Sequence, residues 1–283
     1  MNKALRALWF LLTAISLGIG MDRGASSASD TANACAQGPA ASAAANAASR
    51  SAMAVNMFGR PELGWAFYEP LIANEIGTTC TGTSPGFAKA LTKWQSAHHV
   101  PSTGEVDAAT LGTLKQLWQQ RRPFVVISNK ACPDPPLEET LAHAAANESY
   151  GGKTVELRPD ALAAYRRMIE AARSAGVLPT GAQFPAIFSA YRSPDYDAAR
   201  CATQHNCQGV TRASCSAHRT GNAMDIYLGA APGSSPDSSD DANRLFISQT
   251  PLYRWLVKSA VRFGLVNYAF EPWHWEYVGS PKF

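Results

Sequence analysis

Two distant segments with alternating apolar and polar side chains constrain the fold of this 283-residue chain more than any other feature. The first alternates from Ala223 to Leu228, and the second alternates from Trp273 to Val278. Successive side chains of a β-strand point to opposite faces, so each segment is predicted to be a strand with one apolar and one polar side. The polar sides of the two strands are the place to look for chemistry.

These polar sides carry residues that bind metal ions. Asp225 points away from the apolar side of the first strand, and His274 shares the polar side of the second strand with Glu276. His218 lies seven positions before Asp225, and Gly221 between them permits a tight approach of the two side chains. Two imidazoles and a carboxylate form a zinc ligand set with a fourth position open for water, which is typical of a catalytic site.

A further carboxylate lies close to this set in the sequence. Pro272 lacks a backbone donor, so Glu271 is expected at a strand entrance or in a loop, where its side chain can lean over a bound water. Zinc lowers the pKa of its water towards about 7, and a nearby carboxylate can take that proton and return it to a leaving amine. Glu271 is the candidate general base. Glu276 is either a partner that fixes an imidazole tautomer or a solvated strand residue.

The zinc D-alanyl-D-alanine carboxypeptidases and dipeptidases, including the vancomycin-resistance type, have a two-part signature. This chain resembles it at Ser216-x-His218-x-x-Gly221-x-Ala223-x-Asp225 and Glu271-x-Trp273-His274. The resemblance implies that His218, Asp225 and His274 bind Zn2+ and that Glu271 is the general base. It also implies that the substrate is a peptidoglycan stem peptide.

The upstream run Ser189-Ala-Tyr-Arg-Ser193 is similar to the Tyr-Arg-Ser element of the same family. In that family, the arginine of the element reaches the active site. Arg192 matches that arginine, and a guanidinium can clamp a substrate carboxylate or stabilise an oxyanion. We expect Tyr191 to bind substrate beside it, and Ser216 either to bind substrate or to cap the loop of His218. Residues 193–197 depart from the glutamine-containing version of the element, which leaves the subsite preference open.

Composition excludes some classes of protein. The chain is 46% hydrophobic and 17% charged, which is typical of a globular protein, and its net charge of +3 does not favour nucleic-acid binding.

Lys3 and Arg6 precede an apolar run at residues 7–20 that is short for a membrane span, so residues 1–28 are predicted to be a signal peptide. We therefore expect a periplasmic or secreted, wall-associated protein with no stable membrane span after cleavage.

Six cysteines in an exported chain favour disulfides, whose pairing the sequence does not determine. A bridge within the group Cys201, Cys207 and Cys215 would stiffen the loop that leads to His218.

Composition shifts divide the rest of the chain. Residues 29–56 are rich in Ala and Ser and are predicted to be a flexible linker. Residues 57–125 are predicted to form a small all-α module. The run from Phe87 to Gln95 and the turn from Thr103 to Thr110 resemble the three-helix peptidoglycan-binding module. A helical pair that merely packs on the catalytic domain is the alternative. Residues 130–283 alternate helical and strand patterns and are predicted to form an α+β zinc peptidase domain with an antiparallel sheet.

These observations predict a zinc-dependent D,D-carboxypeptidase that removes terminal D-alanine from peptidoglycan stem peptides. A peptidoglycan endopeptidase on the same zinc site and a non-catalytic wall-binding protein are the alternatives. The oligomeric state is left open.

Overall fold

A computed structural model of the chain describes residues 28–127, 132–180, 185–205, 207 and 215–279. The predicted signal peptide therefore lies outside the described residues, apart from its last position. Within the described ranges, no helix is both long enough and apolar enough to cross a membrane. The fold combines helices with antiparallel sheets, which confirms the predicted α+β class.

The N-terminal unit is mainly helical. Its helices are α1 (Ala28–Ala36), α2 (Ala40–Ser49), α3 (Glu69–Glu75), α4 (Pro85–Ala97), α5 (Ala108–Gln120) and α6 (Pro123–Ile127). It also contains an antiparallel hairpin of β1 (Ala54–Met57) and β2 (Arg60–Leu63), so the unit is not purely α. The side chains of Ser84 and Asp107 accept hydrogen bonds from the first turns of α4 and α5, as N-cap residues do.

The prediction that residues 29–56 form a flexible linker was wrong. Helices α1 and α2 lie against α4, and a disulfide joins Cys35 to Cys80. Asn46 is buried; its amide nitrogen donates to the Gly104 carbonyl over 2.9 Å and its amide oxygen accepts from the Val106 nitrogen over 2.8 Å. Small side chains permit close helix contact, and buried amide bonds with a disulfide supply the stability that large apolar groups would otherwise give.

The C-terminal unit packs helices against one face of a sheet. Its helices are α7 (Pro159–Ser174), α8 (Pro194–Gln204), α9 (Asp241–Ser248) and α10 (Pro251–Ser259). A short antiparallel pair is formed by β3 (Ala142–His143) and β4 (Glu156–Leu157). The main sheet is antiparallel, in the order β5 (Ile187–Ser189), β6 (Ala223–Ile226), β8 (Glu271–Tyr277), β7 (Leu265–Tyr268).

The core of this unit lies where the sequence pattern predicts it. Met224 and Ile226 of β6 and Trp273 and Trp275 of β8 are buried in one apolar cluster with α7 and α10. The intervening polar residues consequently face the other side of the sheet, as the alternation requires.

The two units share a second core. The turn between β7 and β8 inserts Phe270 into the apolar cluster of the N-terminal unit, where its ring lies 5.9 Å from that of Phe58. Arg244 of α9 is 1% exposed and donates to Glu62 over 3.0 Å, to the Tyr68 hydroxyl over 2.9 Å and to the Phe270 carbonyl over 2.9 Å. Its guanidinium lies between the rings of Phe67 and Phe270, at 4.2 and 4.1 Å. The N-terminal unit therefore packs directly on the C-terminal one.

The six cysteines form three disulfides. Cys201 and Cys207 pair within the predicted group, near the end of α8. Cys215 pairs with Cys132 and so ties the residue before Ser216 to a distant segment. Both bridges restrain the chain that leads to His218.

The buried network of Arg244 gives a stability prediction. An Arg244→Met variant is expected to lower the free energy of unfolding by about 3 to 5 kcal/mol, because it leaves the Glu62 carboxylate buried without its cation. Arg166→Met, which removes an ion pair with Glu148 at the surface, is expected to cost about 1 kcal/mol or less. Urea denaturation measures the free energy of unfolding of both variants. Equal losses would contradict the inference that Arg244 stabilises the contact between the two units.

Candidate metal centre and active site

The strand register places the polar residues in one row across the sheet. Asp225 of β6 lies directly opposite Ser189 of β5 on one side and His274 of β8 on the other. His218 lies in a 3-10 turn, Ala217–Thr220, that ends at Gly221 with φ of 70°. That left-handed conformation favours glycine, and it lets the chain turn from His218 into β6.

The three predicted ligands converge. The ligand atoms of His218, Asp225 and His274 all lie within 4.8 Å of one another, and the three residues are at most 4% exposed. His218 Nε2 lies 3.2 Å from Asp225 Oδ2, and His274 Nδ1 lies 2.9 Å from Asp225 Oδ1. Tetrahedral zinc with bonds of about 2.0 to 2.2 Å needs ligand atoms about 3.3 Å apart. The residues therefore fit a zinc ion.

Hydrogen bonds select which imidazole nitrogen faces this point. His218 Nδ1 lies 2.7 Å from the carbonyl of Ala190, which can only accept, so Nδ1 carries the proton and Nε2 is left as a ligand. His274 Nε2 lies 3.3 Å from Glu276 Oε1, which leaves Nδ1 as its ligand atom. Glu276 is 2% exposed, so the interpretation as a solvated strand residue is excluded and the tautomer-fixing one holds.

Glu271 is the first residue of β8, at the predicted strand entrance. Its Oε2 lies 3.9 Å from His274 Nδ1, and its side chain remains 31% exposed. Burial raises the pKa of Glu271, and the charge of His274 opposes that rise. A carboxylate that borders both the ligand set and solvent has the position of a proton acceptor.

The ligand set has a strong internal electrostatic balance. Burial lowers the pKa of His218 to about 4. Burial alone would raise the pKa of Asp225, but the charges and hydrogen bonds of the two imidazoles hold it well below its usual range. For His274, burial by itself would lower the pKa, but the hydrogen bonds to Asp225 and Glu276 raise that pKa to about 9. A cation on Nδ1 of His274 would take the place of that proton.

Sequence comparison agrees with this geometry. Residues 154–280 match the family model of VanY, described as D-alanyl-D-alanine carboxypeptidase. This stretch is less than half of the chain and is similar to the VanY family, so we refer to it as the VanY-type domain. No curated protein sequence matches the chain.

Three solved structures are similar to part of the chain. The LdcB LD-carboxypeptidase, whose structure describes peptidoglycan recognition, is 22% identical with a TM-score of 0.36, over 51% of this chain and 70% of that one. A vancomycin-resistance D,D-pentapeptidase VanY in complex with Zn(II) is 21% identical with a TM-score of 0.31, over 52% and 83%. VanYB in complex with D-alanine-D-alanine is 20% identical with a TM-score of 0.30, over 51% and 81%.

Arg192 borders the ligand set of the VanY-type domain. Its Nε and Nη2 donate to Ser189 Oγ over 3.1 and 2.8 Å, and Nη2 lies 3.3 Å from Asp225 Oδ2. Burial lowers the pKa of Arg192, and Asp225 opposes that shift. Ser189 therefore orients the guanidinium. The sequence did not indicate this role, because Ser189 was notable only for lying three positions before Arg192.

The other two predicted substrate residues, Ser216 and Tyr191, differ in their surroundings. Ser216 Oγ donates to Asp197 Oδ2 over 2.9 Å, so it links the His218 turn to α8. Tyr191 is half-buried, and its backbone nitrogen donates to the Glu156 carbonyl of β4 over 2.9 Å. The binding of substrate by either side chain stays a prediction.

Sequence reasoning also missed a residue of the N-terminal unit that touches this site. Arg122, which lies between α5 and α6 of the N-terminal unit, donates through Nε to Glu276 Oε1 over 2.7 Å. Arg122 lies outside the region that the VanY model matches. No local pattern marks a contact between positions 122 and 276.

Loss of a ligand should abolish metal binding. A His218→Ala variant is expected to raise the dissociation constant for Zn2+ by more than about 100-fold, because even an outer-shell partner is worth about 10- to 100-fold. His143→Ala, at an exposed histidine paired only with Glu156 among the described contacts, serves as the control. Competition with a chromophoric chelator measures both constants, and a tightly bound ion in His218→Ala would exclude this ligand set.

Proposed function

We propose that this protein is an exported, zinc-dependent D,D-carboxypeptidase that removes the terminal D-alanine of peptidoglycan stem peptides. The convergence of His218, Asp225 and His274 beside Glu271 carries the proposal. The VanY family match supports the reaction class. The Zn(II) complex of one similar structure and the D-alanine-D-alanine complex of another are consistent with this metal and this substrate.

Each polar residue then has a distinct task. When bound, Zn2+ supplies a Lewis acid that polarises the scissile carbonyl and makes a water molecule acidic. Glu271 takes up the proton of the attacking water at Oε2 and delivers it to the nitrogen of the departing D-alanine. Nδ1 of His218 stays protonated on the Ala190 carbonyl, so this imidazole holds its orientation through the reaction.

Arg192 supplies the positive charge beside this proton transfer. Ser189 and Asp225 hold its guanidinium from one side, and the remaining donors can reach a substrate oxygen. Such a group stabilises the oxyanion that develops at the carbonyl or clamps the terminal carboxylate of the substrate. A clamp on the terminal carboxylate favours a peptide that ends near the ligand set.

Export and wall association follow from other parts of the chain. Three disulfides are typical of proteins that fold in an oxidising compartment, which favours a periplasmic or secreted enzyme. In the N-terminal unit, a turn joins α4 to α5, and buried Gln95 donates to the Glu105 carbonyl of that turn and to the Thr110 hydroxyl. This helix pair supports the proposed likeness to the peptidoglycan-binding module. As a wall-binding module it would raise the local concentration of the enzyme on its substrate.

The general base gives the first test. Glu271→Gln is expected to lower kcat by about 10²- to 10⁴-fold, because the amide cannot accept the proton, while the bound zinc stays at the parental level. Release of D-alanine from a pentapeptide measures kcat, and metal analysis measures zinc. Glu139→Gln, at an exposed position, is the matched control. A Glu271→Gln enzyme that hydrolyses at the parental rate would remove the assignment.

The scissile bond gives the second test. Digestion of defined muropeptides, with and without a chelator, should release one alanine per stem, as seen by mass spectrometry. Separation of crosslinked halves would instead identify an endopeptidase. Binding to isolated cell walls without any chelator-sensitive cleavage would identify a non-catalytic wall-binding protein.

A further inference from the structure

Glu276 is a carboxylate in a place where carboxylates are costly. It lies two positions after His274 on the same face of β8, and its side chain is 2% exposed. A buried carboxylate must be paired and hydrogen-bonded, or it destabilises the fold. One neighbour is the His274 imidazole, at 3.3 Å from Nε2 to Oε1. A single hydrogen bond of this length does not hold a charged carboxylate in place.

The stronger partners of Glu276 come from the N-terminal unit. Arg122 approaches Oε1 with Nε at 2.7 Å and Nη2 at 2.5 Å, and its side chain is 8% exposed. The backbone nitrogen of Phe124 donates to Oε2 over 3.3 Å. Both carboxylate oxygens are thus held by residues that lie about 150 positions away in the sequence.

Arg122 is itself fixed from two further sides. Its Nη1 donates to the side chain of Gln119 over 2.9 Å, at the end of α5. Its guanidinium lies over the ring of Tyr268 at 3.8 Å, and that ring meets the His274 imidazole edge-on at 6.0 Å. Arg122, Glu276, Tyr268 and His274 consequently form one contiguous packed cluster behind the ligand set.

We propose that Arg122 is a positioning residue of the metal site. It holds Glu276 so that the carboxylate accepts the Nε2 proton of His274 and Nδ1 is presented to the cation. The N-terminal unit therefore completes the metal centre, in addition to any role in wall binding. The inference rests on the proposed zinc site, and it deepens that proposal by adding a residue from outside the VanY-type domain.

A comparison of adjacent arginines tests the inference in the full-length protein. Arg122→Met should raise the dissociation constant for Zn2+ by about 10- to 100-fold. It should also change the visible absorption of the cobalt(II)-substituted protein, which reports ligand geometry. Arg121→Met is the matched control, because Arg121 forms a bidentate pair with Glu75 at the opposite, exposed side of the helix end. The control should retain the parental constant and spectrum.

A second variant keeps the test decisive if Arg122→Met does not fold. The double variant Arg122→Met, Glu276→Gln removes the unpaired buried charge together with its partner. It is expected to fold and still to bind Zn2+ about 10-fold more weakly than the parent. Parental affinity and a parental cobalt spectrum in whichever of the two variants folds would overturn the positioning role.

The outcomes separate this inference from the proposed function. A parent that binds no zinc refutes the metal site, and the role of Arg122 fails with it. Zinc affinity that depends on Arg122 in a protein that releases no D-alanine supports the inference and refutes the proposed substrate. D-alanine release together with zinc affinity that ignores Arg122 refutes the inference alone.

Discussion

The register between β6 and β8 is the constraint on which the rest of the site depends. It sets Asp225 opposite His274, and the neighbouring strand sets Ser189 opposite Asp225. Side chains alternate along a strand, so a shift of β6 by one residue relative to β8 would turn Asp225 towards the apolar core. Asp225 would then no longer face His274. The buried side chains of Met224 and Trp275 resist that slip, so the hydrophobic core enforces the geometry of the polar site.

Charge compensation is the second requirement of this design. Asp225, Glu271 and Glu276 bring three carboxylates to one side of a small sheet, and each needs positive partners in a poorly solvated place. His218, His274 and Arg192 supply some of these partners from within the VanY-type domain. Arg122 supplies the remainder for Glu276 from the N-terminal unit. The electrostatic balance of the candidate site is therefore a property of both units.

The contact between the units explains why the N-terminal segment is not a detached tether. Arg244 joins Glu62 and Tyr68 to the carbonyl of Phe270, directly before the candidate base Glu271. Arg122 acts at the other end of β8, on Glu276. Arg244 and Arg122 thus connect the two ends of β8 to the N-terminal unit. These contacts restrain the strand that carries Glu271 and His274, and an isolated VanY-type domain would lack them.

Much of the local structure was predictable, because it depends on near neighbours. The alternation of β6 and β8 predicted which side chains join the apolar core, and Ser84 and Asp107 are residue types typical of N-caps at the starts of α4 and α5. The ligand set His218, Asp225 and His274 also followed from residue types and spacing. The prediction for residues 29–56 was wrong, because composition does not show that Asn46 finds buried partners some 60 positions away.

The sequence by itself determined the residue types that could bind a metal ion, the strands that carry Asp225 and His274, and the apolar faces that pack one side of each strand into the core. Only the tertiary structure decided the Cys132–Cys215 disulfide, the approach of Arg192 to Asp225 and the contact of Arg122 with Glu276. The physical reason is range. Periodicity and capping arise from interactions between neighbours in the chain, whereas ion pairs and disulfides between distant segments depend on how the whole chain packs.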